Sequence, residues 1–130
     1  MNLSRHEPCR ILIVDDHPDT VRTHEILCRS WGHETRSART AEEALRLFDA
    51  FSPDLALVDV GLPGMSGYDL AKVVRLNSSH ARIILVAVTG LTSEQNRIEA
   101  FRVGFNEYVA KPIDSDKLHG IVSNLCSIAA

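Results

Sequence analysis

Little in this chain points to a membrane, an export route or a nucleic-acid surface. Its first apolar run, Ile11-Leu12-Ile13-Val14, is four residues long and ends in acids, which does not read as a secretory signal. No other run approaches the thickness of a bilayer, so the expectation is a cytoplasmic protein without a membrane span. A strong excess of one charge is also missing. The formal net charge is −3, which argues against direct contact with nucleic acid over a broad face. Cysteine is sparse: Cys9, Cys28 and Cys126 are odd in number, far apart and free of any C-x-x-C pair. No disulfide framework is therefore expected, and a reducing compartment fits. Cys28 falls on the apolar side of a predicted helix and reads as a small core residue. Exposed, reactive thiols are not expected at Cys9 or Cys126.

Several motifs are absent too. There is no Walker A sequence, no G-x-G-x-x-G after the first strand and no G-x-S-x-G elbow, which leaves nucleotide-driven and serine-nucleophile chemistry without support. His6, His17, His24, His33, His80 and His119 show no metal-ligand spacing. His17, near two acids, reads as a surface residue at a helix start. No repeat, linker or low-complexity stretch divides the 130 residues, 45% of which are hydrophobic. That length and composition suit one folded domain with a proper core.

Apolar runs alternate with helical periods along the whole chain. Strands are predicted at 10–14, weakly at 34–37, and at 55–58, 83–88 and 107–110. Helices are predicted at 18–31, 40–51, 68–77 and 93–103, with a last one from 114 or 115. Pro18 suits a first turn, Gly32 and Gly104 suit helix ends, and Thr40 with Glu43 forms a capping-box pattern. The second helix should bury Ala44, Leu45, Leu47 and Phe48, and the fourth carries Ile98 and Phe101. Five β-α units imply a doubly wound α/β fold, a parallel five-stranded sheet with helices on both faces.

Three of the apolar runs end in the residues that phosphoryl transfer needs. Ile11-Leu12-Ile13-Val14 delivers Asp15-Asp16, Leu55-Ala56-Leu57-Val58 delivers Asp59, and Tyr108-Val109-Ala110 delivers Lys111-Pro112. In a parallel sheet these ends gather in one crevice. Three carboxylates meeting there are expensive unless a divalent cation joins them, and carboxylates with a carbonyl and waters suit Mg²⁺. Mn²⁺ could substitute. Asp59, at the end of a run buried on both faces, must be paired, protonated or ligated, and as a carboxylate it can attack phosphorus. Lys111 is the counter-charge and a clamp for a phosphoryl oxygen. Thr89 ends the fourth apolar run at the same edge, with Gly90 leaving room beside it. Alternation sets Tyr108 opposite Val109, facing a helix layer or solvent.

Taken together, I-L-I-V-D-D-H-P at 11–18, L-V-D-V-G-L-P-G-M-S-G-Y-D-L at 57–70, V-T-G at 88–90 and G-F-N-E-Y-V-A-K-P-I-D at 104–114 resemble a two-component response-regulator receiver domain. The likeness covers residues 10–126, the core of a single domain spanning 1–130. It implies a flavodoxin-like strand order of 2-1-3-4-5 with five helices. It also implies that Asp59 is the phosphoacceptor, taking its phosphoryl group from the phosphohistidine of a histidine kinase or histidine phosphotransfer protein. Asp16, Asp59 and the Gly61 carbonyl would hold Mg²⁺ directly, with Asp15 acting through water. Lys111 and Thr89 would each hold a phosphoryl oxygen, and Tyr108 would move inward as Thr89 swings. The surface of the fourth helix, fifth strand and fifth helix would change for an unknown downstream protein.

On this reading the domain is no enzyme toward outside substrates. It catalyses only its own phosphorylation and dephosphorylation. Gly61 and Leu91 occupy positions that the family varies to tune phosphate lifetime. No output domain is expected in this chain, which reads either as a stand-alone receiver or as one from a larger protein such as a hybrid histidine kinase. Two alternatives stay open: a pseudo-receiver that keeps the fold for interaction alone, and an aspartate-nucleophile phosphatase. The latter family carries a second acid two residues after its nucleophile, where this chain has Gly61.

Overall fold

The computed structural model describes residues 8–90 and 93–129; His6 and Leu91 lie outside them. Among the described residues, five strands alternate with five helices: β1 Arg10–Val14, α1 Pro18–Ser30, β2 Glu34–Ala38, α2 Ala41–Phe51, β3 Leu55–Asp59, α3 Gly67–Leu76, β4 Ile84–Thr89, α4 Glu94–Val103, β5 Glu107–Ala110 and α5 Ser115–Ala129. The strands form one sheet in the order β2-β1-β3-β4-β5, with every neighbouring pair parallel. This is the doubly wound order that was expected.

The central strands read as unbroken apolar runs because helices cover both faces of the sheet. Every residue of β3 and β4 is buried. Their side chains alternate between two cores. Leu12, Val14, Ala56, Val58, Leu85 and Ala87 join Phe48 of α2 and Leu70 and Val74 of α3. Ile11, Ile13, Leu55, Leu57, Val86 and Val88 join Val21 and Cys28 of α1 and Leu118 and Val122 of α5. Each fully buried aliphatic or aromatic side chain contributes roughly 1.5–3 kcal/mol, so the strands that end at the site belong to the most strongly held part of the molecule.

Local signals set the helix ends. Thr40 Oγ1 accepts from the Glu43 amide at 3.1 Å, and Glu43 Oε1 accepts from the Arg39 amide at 2.8 Å, one residue before the cap. Ser66 and Ser93 cap α3 and α4 in the same way, from the amides of Asp69 and Asn96. Gly104 closes α4 with φ +118°, and a Cβ there would lie 2.6 Å from Arg75 Cγ. The Ser78–His80 turn delays β4 by one residue against expectation, because the Ile83 amide donates to the His80 carbonyl instead of the sheet.

The sequence leaves one orientation open, and one expectation needs correction. Ile98 and Phe101 of α4 point outward, 58% and 39% exposed, and the helix buries Ala100 and Val103 instead. Short side chains face the sheet here, which brings the helix close and turns the larger ones away. Second, Cys9 and Cys126 are joined in a disulfide although 117 positions separate them, with Cα atoms 5.8 Å apart. α5 runs antiparallel to the strands, so its last turns return to the edge where β1 begins. Spacing along the chain carries no trace of that approach. Cys28 is free and fully buried, as expected.

Candidate functional site

The C-terminal ends of β1, β3, β4 and β5 reach one level because Val14 pairs with Val58, Asp59 with Val88, and Thr89 with Ala110. Residues just past the strands stay on the backbone ladder. The Asp15 amide donates to the Ala38 carbonyl at 3.0 Å, and the Lys111 amide to the Thr89 carbonyl at 2.8 Å. Acid and base are thus presented by a rigid frame, which holds reacting groups better than a loop does. The Lys111–Pro112 peptide is cis.

Lys111 Nζ lies 3.2 Å from Asp59 Oδ2 and 3.5 Å from Asp15 Oδ2, and both acids are almost wholly buried. Burial alone would lower the Lys111 pKa, but the charges of Asp15 and then Asp59 outweigh it and hold the pKa above its ordinary value. The free oxygen of Asp59, Oδ1, accepts from the Gly61 amide at 3.0 Å. On the other side, His17 Nδ1 stands 3.0 Å from Asp15 Oδ1 and 3.3 Å from Asp16 Oδ1. Its hydrogen bond with Asp15, together with the charges of Asp15 and Asp16, raises the His17 pKa.

Ligand atoms of Asp15, Asp16, His17 and Asp59 all lie within 4.8 Å of one another. Three hard carboxylate oxygens around one point, with a single lysine opposite, fit a divalent cation by charge and by donor type. Lys111 alone leaves the cluster net negative.

Asp15, Asp16, Asp59 and Lys111 therefore come together as anticipated. Thr89 is buried at the same edge as the last residue of β4. Gly61 reaches the site through its amide, and a Cβ there would meet Asp59 Oδ1 at an ordinary 3.6 Å. Tyr108 is half-buried and packs against the core on the α2–α4 side of the sheet, while Val109 packs on the other side. Alternation had anticipated that opposition.

Three features escaped the sequence reading. His17 is mostly exposed at the start of α1, as expected, but also bonds the acids. His24, about two helical turns further on, is buried, and its pKa is lowered by that burial. It lines a cleft of about 470 Å³ with Asp15, His17, Thr20, Lys111 and Ile113. Its place on the inner face of α1, with Val21 and Cys28, was the available signal. Gly67 is the third. Its amide donates to the Val60 carbonyl at 3.1 Å, and a Cβ would come within 2.7 Å of both the Asp59 carbonyl oxygen and Val60 Cα. Only a residue without a side chain lets α3 start so close to the turn after β3.

An open parallel sheet with acids and a lysine at its switch-point edge defines a class of α/β signalling domains. The profile of the response regulator receiver domain matches residues 11–123. The chain belongs to that family, the receiver domains of two-component systems. It is 35% identical over 116 residues to an uncharacterized 14.6 kDa protein in the sodA1 3′ region of Leptolyngbya boryana, covering 89% of this chain and 88% of that one. It is 36% identical to the regulatory protein AtoC of Escherichia coli, covering 87% of this chain but only 24% of AtoC. Among solved structures, a CheY-like response regulator receiver domain protein from Methanospirillum hungatei superposes with a TM-score of 0.85 at 27% identity, over 95% of this chain and 97% of that one. No helix of the described residues is long and apolar enough to cross a membrane.

Proposed function

We propose that this domain is the phosphoacceptor switch of a phosphorelay, with Asp59 as the residue modified. The observation that carries the reading is the position of Lys111 Nζ, within 3.5 Å of a carboxylate oxygen on both Asp15 and Asp59 at the carboxyl edge of the sheet. Asp59 Oδ attacks the phosphorus of a phosphohistidine, the P–N bond breaks, and the imidazole leaves with the electron pair and takes up a proton. The donor is a histidine kinase or a histidine phosphotransfer protein, which places the domain in the cytoplasm beside it.

Asp16, Asp59 and the Gly61 carbonyl would hold the cation, Mg²⁺ or Mn²⁺, with Asp15 acting through water. When bound, the cation would supply neutralisation of charge on the phosphoryl oxygens, which a loose transition state needs more than covalent help. Lys111 binds one phosphoryl oxygen and the Thr89 hydroxyl another. Tyr108 then packs inward, and the face formed by α4, β5 and α5 changes for a downstream protein. Residues 10–126 act as one unit, and turnover is confined to the domain's own aspartyl phosphate.

Acetyl phosphate with Mg²⁺ tests this. One phosphoryl group should appear by intact mass, and none in Asp59→Asn. Failure of the unmodified chain to take up phosphate, with Mg²⁺ bound, would overturn the assignment. Failure to bind the metal at all would favour the pseudo-receiver, and repeated turnover of a phosphomonoester would favour the phosphatase.

A further inference from the structure

The edge of the sheet opposite the acid cluster carries chemistry that phosphoryl transfer does not use. We propose that Cys9 and Cys126 are a reversible thiol–disulfide couple, closed by a low-molecular-weight disulfide such as oxidised glutathione, that clamps the end of α5 to the start of β1. The two Cα atoms are 5.8 Å apart, inside the range that a disulfide spans without backbone movement. Cys9 is held firmly: its amide donates to His33 Nδ1 at 3.0 Å, and its carbonyl accepts from the Glu34 amide at 3.1 Å. Cys126 sits in the last turn of α5, two residues before the exposed Ile128.

Both sulfurs lie in the apolar core between α1, α5 and the sheet, 4% and 7% exposed as residues. An oxidant therefore reaches them only when the last turn of α5 opens, and helix ends open before helix centres. The Cys126 thiolate then attacks the small disulfide and releases one glutathione thiol. The Cys9 thiolate attacks the mixed disulfide and releases the second. Two protein thiols become one disulfide, and one oxidised glutathione becomes two reduced molecules. Cys28 shares this core but is fully buried, and burial pushes its thiol up to about 12, so it stays protonated and does not compete.

The clamp closes a ring with a sequence separation of 117. Long rings remove the most freedom from the unfolded chain, and closure should favour the folded state by on the order of 10³-fold. The acid cluster lies a full strand away, so the rate of phosphoryl uptake should not follow the state of the pair.

The test uses the full chain equilibrated with reduced or oxidised glutathione, followed by alkylation, peptide mapping and thermal unfolding. Trp31, the single tryptophan, stacks edge-on against His119 of α5 at 4.7 Å and reports the α1–α5 contact by its emission. The oxidised chain should keep one alkylatable thiol, Cys28, yield a Cys9–Cys126 peptide and melt on the order of ten degrees higher than the reduced chain. Cys126→Ser should lose the redox dependence of melting, and Cys28→Ala should keep it. Cys9→Ser serves the same purpose if Cys126→Ser does not fold. Three free thiols after oxidation, a bond to Cys28, or a melting point indifferent to redox state would each overturn the proposal. So would phosphoryl uptake that tracks oxidation. Loss of phosphoryl uptake in both redox states alike would count against the phosphorelay reading and leave the couple standing.

Discussion

Replacing Gly67 with alanine places a methyl group 2.7 Å from the Asp59 carbonyl oxygen, 2.7 Å from Val60 Cα and 3.2 Å from Val58 Cγ1. Two of those atoms are backbone, so no rotamer can relieve the contact. The turn after β3 must move by several tenths of an ångström, or α3 must lift off it. Overpacking of this kind costs about 1–3 kcal/mol, and alanine's better helix propensity returns at most ~1 kcal/mol. The net loss is then about 1–2 kcal/mol, a fall in Tm of roughly 3–8 °C for a chain of this size. Because Asp59 itself is displaced, phosphoryl uptake should slow further than the stability loss explains, by up to about 10²-fold for misplacement approaching 1 Å. Urea unfolding followed by Trp31 emission gives the first number, and acetyl phosphate labelling gives the second. Gly120→Ala is the matched control. It lies in α5 with nothing within 4 Å of its would-be Cβ, and should gain roughly 0.5–1 kcal/mol. A Gly67→Ala protein with the parent's urea midpoint and labelling rate would refute the steric argument.

Lys111→Ala should still accept phosphate, more slowly, but lose the dependence of partner binding on it; a pull-down with and without beryllofluoride checks this, and fully phosphate-dependent binding would contradict the role given to the lysine. Asp16→Ala should abolish Mg²⁺-dependent labelling if Asp16 is the ligand proposed above, and unchanged metal affinity by calorimetry would contradict that. His24 gives a pH dependence of defined sign. Burial holds its folded pKa below the unfolded value of about 6.5, so its contribution is full above that pH and fades as pH falls through the depressed folded value. His17 acts in the opposite sense, contributing below about 6.5 and losing its effect as pH rises through its raised value. Comparing His24→Gln with the parent isolates the first effect: the stability advantage of the parent should shrink between pH 7 and pH 5, and parallel profiles would be evidence against it.

Strands and acids were legible in the sequence because burial on both faces leaves a run such as Leu55-Ala56-Leu57-Val58 no other role, and an acid directly after it marks where the run meets solvent. Strand order came with the family likeness rather than from the runs themselves. What stayed hidden depends on distances between elements. The outward turn of Ile98 and Phe101 is set by how closely Ala100 lets α4 approach the sheet. Gly67 looked like loop glycine because the backbone it nearly touches lies across a turn. Cys9 and Cys126 looked unrelated because their meeting is a product of α5 running back along the sheet.

The seating of α4 has a consequence for signalling. The helix is retained by two small inward side chains, Ala100 and Val103, by the Tyr68 hydroxyl on the Asn96 carbonyl at 3.2 Å, and by Arg75, whose guanidinium holds the Gly104 carbonyl and the Asn106 side chain at its exit. Anchored mainly at its two ends, with little apolar grip between them, it resembles a lever on pins rather than a beam set in mortar. If Asp59 is phosphorylated as proposed, the added charge at the neighbouring strand end would tilt such a lever more readily than it would shift α2, which is wedged in place by Phe48.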